Sequence, residues 1–260
     1  MFLHSRFLPS ASKPEHIVVL LHAFPLSSVM WDRMAAELQS LRDDTALVMI
    51  DFPGFGGSPV RPKWNLAAIP MELRGIIERH TRWTPITLVG LSMGGYAALE
   101  FYRMNSDMVR GLVLSNTRAT PDSEDEKRNR EVFAEDTLER GADAALERLY
   151  SNFVTEETDP EIAIDLRTWI SAAKPASIAA ALRAMAERGD SSKLLPLITA
   201  PTLVISGERD RMMRSTTMRA MAKKIEDASF VELAGASHIA AAEKPREWAE
   251  ALASFLERIG

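Results

Sequence analysis

The chain has 260 residues, with 31 lysines and arginines against 36 aspartates and glutamates, a formal net charge of −5, and no cysteine. A hydrophobic content of 46% beside 26% charged residues is that of a globular chain, so disorder is excluded, and the acidic balance is wrong for a nucleic-acid surface. Without cysteine there is no disulfide, no cysteine nucleophile and no cysteine-held zinc or iron–sulfur centre. The segment beginning at Met1 lacks the long apolar centre of a signal peptide, and no apolar run approaches the ~20 residues of a membrane span. A soluble, cytoplasmic protein with no membrane partner is therefore expected.

Taken in chain order, short runs of Val, Ile and Leu bounded by turn residues predict buried strands at Ile17–Leu21, Ala46–Ile50, Ile86–Val89, Gly111–Leu114, Thr202–Ile205 and Phe230–Leu233. Their lack of alternation suits parallel strands covered on both faces. Between them, helical spacing of apolar residues predicts helices over Ser28–Leu41, Leu66–Arg82, Gly94–Met104, Thr216–Ile225 and Pro245–Ile259. Strand–helix alternation implies an α/β architecture on a mostly parallel sheet. It stops between about Arg118 and Leu194, where helices are expected around Ala142–Phe153, Pro160–Ala172 and Ser177–Glu187 after a polar start at Pro121. The core is thus expected to be discontinuous, 1–118 plus 195–260, with residues 119–194 as a helical insertion.

One segment carries chemistry. Ile86-Thr-Leu-Val-Gly-Leu-Ser-Met-Gly-Gly reads as a strand, then Gly90-x-Ser92-x-Gly94, then a helix. A serine on such a turn projects its hydroxyl above the sheet's C-terminal edge, at a helix start that favours developing negative charge. A hydroxyl is a weak nucleophile and needs a base. Of the five histidines only His238 follows Ser92, just beyond the last strand. The orienting acid should follow a late strand, and Asp210 in Ser206-Gly-Glu-Arg-Asp is favoured over Glu208. The amides of Met93 and Phe24 are the candidate oxyanion donors. His22 is read as a loop-fixing residue, and the turn Asp51-Phe-Pro-Gly-Phe-Gly-Gly-Ser58 as structural rather than phosphate-binding. The histidines are too scattered for a zinc site.

These residues resemble the α/β-hydrolase superfamily over essentially the whole chain. The matching segments are His22-Ala-Phe-Pro-Leu, Asp51-Phe-Pro-Gly-Phe-Gly-Gly-Ser, Gly90-Leu-Ser-Met-Gly-Gly, Gly207-Glu-Arg-Asp and Gly235-Ala-Ser-His. More narrowly, the chain is similar to bacterial carboxylesterases of the 3-oxoadipate enol-lactonase-like branch, on Ser115-Asn-Thr-Arg-Ala and Ile178-Ala-Ala-Ala-Leu-Arg-Ala-Met. The resemblance implies a helical cap over Ser92, a Ser92–His238–Asp210 triad, oxyanion donors at Phe24 and Met93, and no cofactor. It implies a small-molecule ester as substrate, with enol-lactone hydrolysis, C–C bond hydrolysis or a slow-turnover ligand receptor as alternatives on the same frame. One departure is Ala23, where the family usually has glycine after the histidine. Ser92, where some members carry aspartate, disfavours dehalogenase and epoxide-hydrolase chemistry. Leu26, Met212, Met213 and Ile239 flank the catalytic groups in sequence and are candidate substrate contacts. Phe133, Leu138, Leu146, Phe153, Ile162, Trp169 and Met185 are available as an apolar cap lining.

Overall fold

The computed structural model describes residues 3–81 and 85–260. Seven strands form one sheet in the order β1-β3-β2-β4-β5-β6-β7. Strands β2 (His16–Leu21), β3 (Thr45–Ile50), β4 (Ile86–Leu91), β5 (Val109–Ser115), β6 (Thr202–Gly207) and β7 (Ala228–Leu233) run parallel to one another. All six correspond to the apolar runs of the sequence. In β2, β3, β4 and β6 every residue is buried, which is why those runs do not alternate. The strand not expected is β1 (Ser5–Leu8), an edge strand antiparallel to β3 whose residues are only half-buried or exposed. With no second covered face it needs no continuous apolar run.

The helices α1 (Asp32–Leu41), α2 (Ile69–Thr81), α3 (Met93–Asn105), α8 (Ser215–Ala222), α9 (Ala240–Glu243) and α10 (Pro245–Ile259) belong to the strand–helix alternation. Pro245 stands in the first turn of α10, where its missing N–H leaves no helical bond unmade. The expected first helix begins four residues later than the sequence suggests, because Ser28–Trp31 forms a 3₁₀ turn that leads into α1. Trp31 from that turn meets Trp248 of α10 edge-to-face, with centroids 5.6 Å apart. The expected end of the second helix at Arg82 lies outside the described residues.

Between β5 and β6 lie four helices: α4 (Glu124–Arg140), α5 (Ala142–Phe153), α6 (Pro160–Ala172) and α7 (Pro175–Ala186). The last three match expectation. Helix α4 lies where the sequence shows only a polar stretch, because its Glu- and Arg-rich residues form no apolar stripe. The signal that marks it is a capping box: the Ser123 side chain accepts from the Glu126 amide while the Glu126 carboxylate accepts from the Ser123 amide. Among the described residues no helix is long and apolar enough to cross a membrane.

Candidate active site

The strand-to-helix turn after β4 places Ser92 at φ 54°, ψ −112°, one of two non-glycine residues with positive φ among those described. This conformation is costly for a residue with a Cβ and persists only where its surroundings enforce it. Those surroundings are tight. A methyl group at Gly90 would run into the Gly94 carbonyl, and one at Gly94 into the Leu21 carbonyl. The Ser92 backbone is tied to the end of β5 and the residues that follow it, its N–H donating to the Ser115 carbonyl (2.9 Å) and its carbonyl accepting from Thr117 Oγ1 (2.8 Å).

The loops after β4, β6 and β7 bring three side chains into a row. Ser92 Oγ lies 2.9 Å from His238 Nε2, and His238 Nδ1 lies 2.8 Å from Asp210 Oδ2. An ionised carboxylate only accepts, so Nδ1 carries the ring proton and Nε2 accepts the Ser92 hydroxyl proton. Burial by itself would push the Asp210 carboxyl up. The His238 ring, the Asn116 amide and the Met213 N–H outweigh that and hold it below the usual range. Two backbone donors, Met212 N (2.8 Å) and Met213 N (2.9 Å), occupy Asp210 Oδ1. The rival Glu208 faces elsewhere, accepting from the Gly235 amide at 2.8 Å.

The loop after β2 carries His22 and Phe24. His22 is fully buried, and burial lowers its pKa to about 4, so the ring is neutral. Its Nδ1 donates to the Ala23 carbonyl (2.8 Å) and its Nε2 accepts from the Phe52 amide (2.9 Å), which fixes the loop as expected. Ala23 does not have positive φ, so the loop needs no glycine there. Among the described residues neither the Phe24 nor the Met93 amide has a protein acceptor. The turn from Asp51 is structural: the buried Asp51 carboxylate accepts from the amides of Ser28 (2.7 Å) and Gly57 (2.9 Å).

A cavity of about 440 Å³ is bounded by Phe24 of the β2 loop and Met212 of the Asp210 loop, with Ser92, Asp210 and His238 themselves outside its lining. Phe24 and Met212 line it from the sheet side, and Phe133, Leu149 and Leu182 from the helices. Its remaining wall is polar, formed by Asp122, Glu126, Asn129, Arg130, Arg148 and Asn152. The expected apolar lining is thus corrected: α4 supplies charged groups that sequence spacing did not single out. Leu138 is exposed, while Ile162 and Met185 are buried in packing. Leu146 is only partly buried, packed against the core. Phe153 stacks on the His238 ring at 5.7 Å and 17°. Of the candidate substrate contacts, Met212 lines this cavity. Leu26 and Trp169 line a second one of about 300 Å³, together with Pro25 and Phe55. Met213 and Ile239 are buried and line neither.

Two further buried carboxylates, one in the helical segment and one beyond β7, carry no recognisable motif. The side chain of Asp122 has no exposure and faces three guanidiniums, Arg118 (2.5 Å), Arg188 (2.8 Å) and Arg130. Glu243, also buried, accepts from the Ser237 amide (2.7 Å) and from Thr158 Oγ1 (2.6 Å), joining the His238 loop to the α5–α6 connection. Among the described residues no cluster of three His, Asp or Glu side chains is placed to hold a metal ion.

Residues 18–251 match the model of the alpha/beta hydrolase family. The chain belongs to that family. It is an enzyme of the ester-hydrolase type, as its relatives are. A thermophilic esterase from Thermogutta terrifontis, solved with malate bound, is 34% identical over 99% of this chain and 94% of its own, with a TM-score of 0.92. The pimeloyl-[acyl-carrier protein] methyl ester esterase of Chromobacterium violaceum is 25% identical over 92% of this chain and 94% of its own. An enol-lactonase from Burkholderia xenovorans shares the fold, with a TM-score of 0.85 at 24% identity over 98% and 96% of the two chains.

Proposed function

We propose that the protein is a carboxylesterase-type serine hydrolase that cleaves small carboxylic esters through an acyl-enzyme. The observation that carries the reading is the Ser92–His238–Asp210 row, at 2.9 and 2.8 Å; among the described residues the Phe24 and Met93 amides have no protein acceptor. His238 Nε2 takes the Ser92 proton as Oγ attacks the ester carbonyl. The Met93 and Phe24 amides receive the oxyanion, and Asp210 stabilises the imidazolium. The tetrahedral adduct collapses, His238 gives its proton to the departing alcohol, and the same ring then activates water to release the acid. No cofactor or metal is needed for either step.

On this reading the core comprises 1–118 and 195–260, and residues 119–194 form a cap over the serine. The relatives named as esterases support ester hydrolysis. The cavity sets the size: 440 Å³ with five apolar walls suits a short acyl chain, each buried methylene gaining ~0.8 kcal/mol until the space is filled. The test is kcat/KM on nitrophenyl esters from acetate to palmitate, together with peptide mapping after a phosphonate ester. Turnover that peaks between about acetate and hexanoate, and a single adduct on Ser92 that is absent in Ser92→Ala, are expected. Labelling that survives Ser92→Ala sinks the proposal.

A further inference from the structure

Asp210 Oδ2, the oxygen that faces His238, has a second partner. Asn116 Nδ2 donates to it at 2.8 Å and also lies 3.4 Å from the Ser237 carbonyl, next to His238 in the chain. Asn116 is the second non-glycine residue with positive φ, at 45°. Its own amide oxygen is held by Ser115 Oγ at 2.9 Å, which fixes which end of the side chain points at the carboxylate, and Trp248 Nε1 in turn reaches Ser115 Oγ at 3.4 Å. A buried line therefore runs from Trp248 through Ser115 and Asn116 to Asp210. A side chain needed only for the turn requires no such orientation, because asparagine enters the left-handed region through its backbone preference.

We propose that Asn116 is a positioning residue for the acid: its amide holds Asp210 Oδ2 against His238 Nδ1. The inference rests on the triad reading. With Asn116 and the Met212 and Met213 amides in place, the carboxylate has one free direction left, and His238 fills it. Without Asn116, Oδ2 keeps only the ring, and the carboxylate loses a donor that favours its charged form in a site closed to water. No other titratable side chain is hydrogen-bonded to Asp210 among those described. Glu208 faces the Gly235 amide, Glu243 faces Ser237, and Arg209 faces Glu157.

Two variants separate positioning from turn-making. Asn116→Gly keeps positive φ accessible and removes the amide. Asn116→Asp keeps the shape and the turn but replaces the donor by an oxygen that donates only when protonated. Both are expected to fold with unchanged KM, and Asn116→Gly to lose about 10- to 100-fold in kcat, the scale of one hydrogen bond to a charged group. For Asn116→Asp, the ratio of its kcat to that of the wild type should fall as pH rises, because the two adjacent carboxyls lose their shared proton. Ratios flat with pH and kcat within about twofold of wild type in both variants would overturn the proposal. So would losses that follow the unfolded fraction measured by circular dichroism. Ser92→Ala assayed alongside keeps the two ideas apart. If it still turns over ester, the triad reading fails. If it is dead while both Asn116 variants match wild type, only the positioning role fails.

Discussion

The sheet edge and the helices α4–α7 are held by different forces. At the edge, Ser92, Asp210 and His238 stand on loops whose backbone is pinned by glycine-tight contacts, backbone hydrogen bonds and fully buried strands. The helical segment leans on charge. Asp122 gathers three arginines, Arg33 reaches Asp165 (3.0 Å), and Arg209 reaches Glu157 (2.6 Å). Close packing tolerates little displacement, whereas exposed ion pairs exchange readily with water and salt. The molecule thus combines a closely packed edge with a helical segment that holds one buried charge cluster at Asp122 and meets the core through exposed, more adjustable ion pairs.

The sharpest way to break this division is to touch the edge alone. Asp210→Asn should leave thermal unfolding nearly unchanged and cut kcat on the scale of the ~10⁴ seen for the same exchange in a serine protease. If it unfolds the protein instead, the edge is not independently held. The converse experiment removes the buried charge of the helical segment. Asp122→Ala leaves three guanidiniums without their shared carboxylate and should cost about 3–5 kcal/mol of stability, read from urea unfolding. An equal collapse of kcat in the folded fraction would erase the distinction between the regions.

Acid sharpens the comparison further. His22 has a pKa of about 4 when buried, against ~6.5 in the unfolded chain, so the unfolded chain binds more protons between those values. Stability should therefore be undiminished above about pH 6.5 and fall as pH drops toward 4, by on the order of 3 kcal/mol over the window. His22→Gln should flatten that dependence in denaturant titrations at pH 7 and 5. A slope unchanged in the variant would assign the acid sensitivity to other groups. The smallest effect belongs to the surface contacts. Arg209→Gln breaks an exposed pair with Glu157 and should cost no more than about 1 kcal/mol, vanishing in high salt. A larger, salt-insensitive loss would mean that the helices are anchored more firmly than their exposed charges suggest.

The same contrast explains what the sequence reveals. Strands buried on both faces are forced into unbroken apolar runs, and Gly90 and Gly94 are forced by neighbouring carbonyls, so the sheet and the serine turn are legible from residue types alone. That Ser92, Asp210 and His238 would lie together is legible through their order relative to those strands, and their side chains do meet in one row. Asn116, Asp122 and Glu243 are not legible, because each takes its meaning from partners 94, 66 and 85 positions away. Helix α4 escapes periodicity because it buries only Phe133, Ala134 and Thr137 of its residues. Strand β1 escapes because one edge of a sheet has no second face to cover.

The stacking of Phe153 on His238 bears on traffic through the site. One face of the ring is roofed by that phenyl group, Nδ1 is committed to Asp210, and Ser92 is only 8% exposed. In the proposed reaction the uncovered side of the ring is then the shared doorway: the alcohol must vacate it before the hydrolytic water can take its place. Departure and arrival are forced into sequence by geometry. Any other small nucleophile that waits in that doorway, a second alcohol among them, competes with water for the acyl group on equal terms of access.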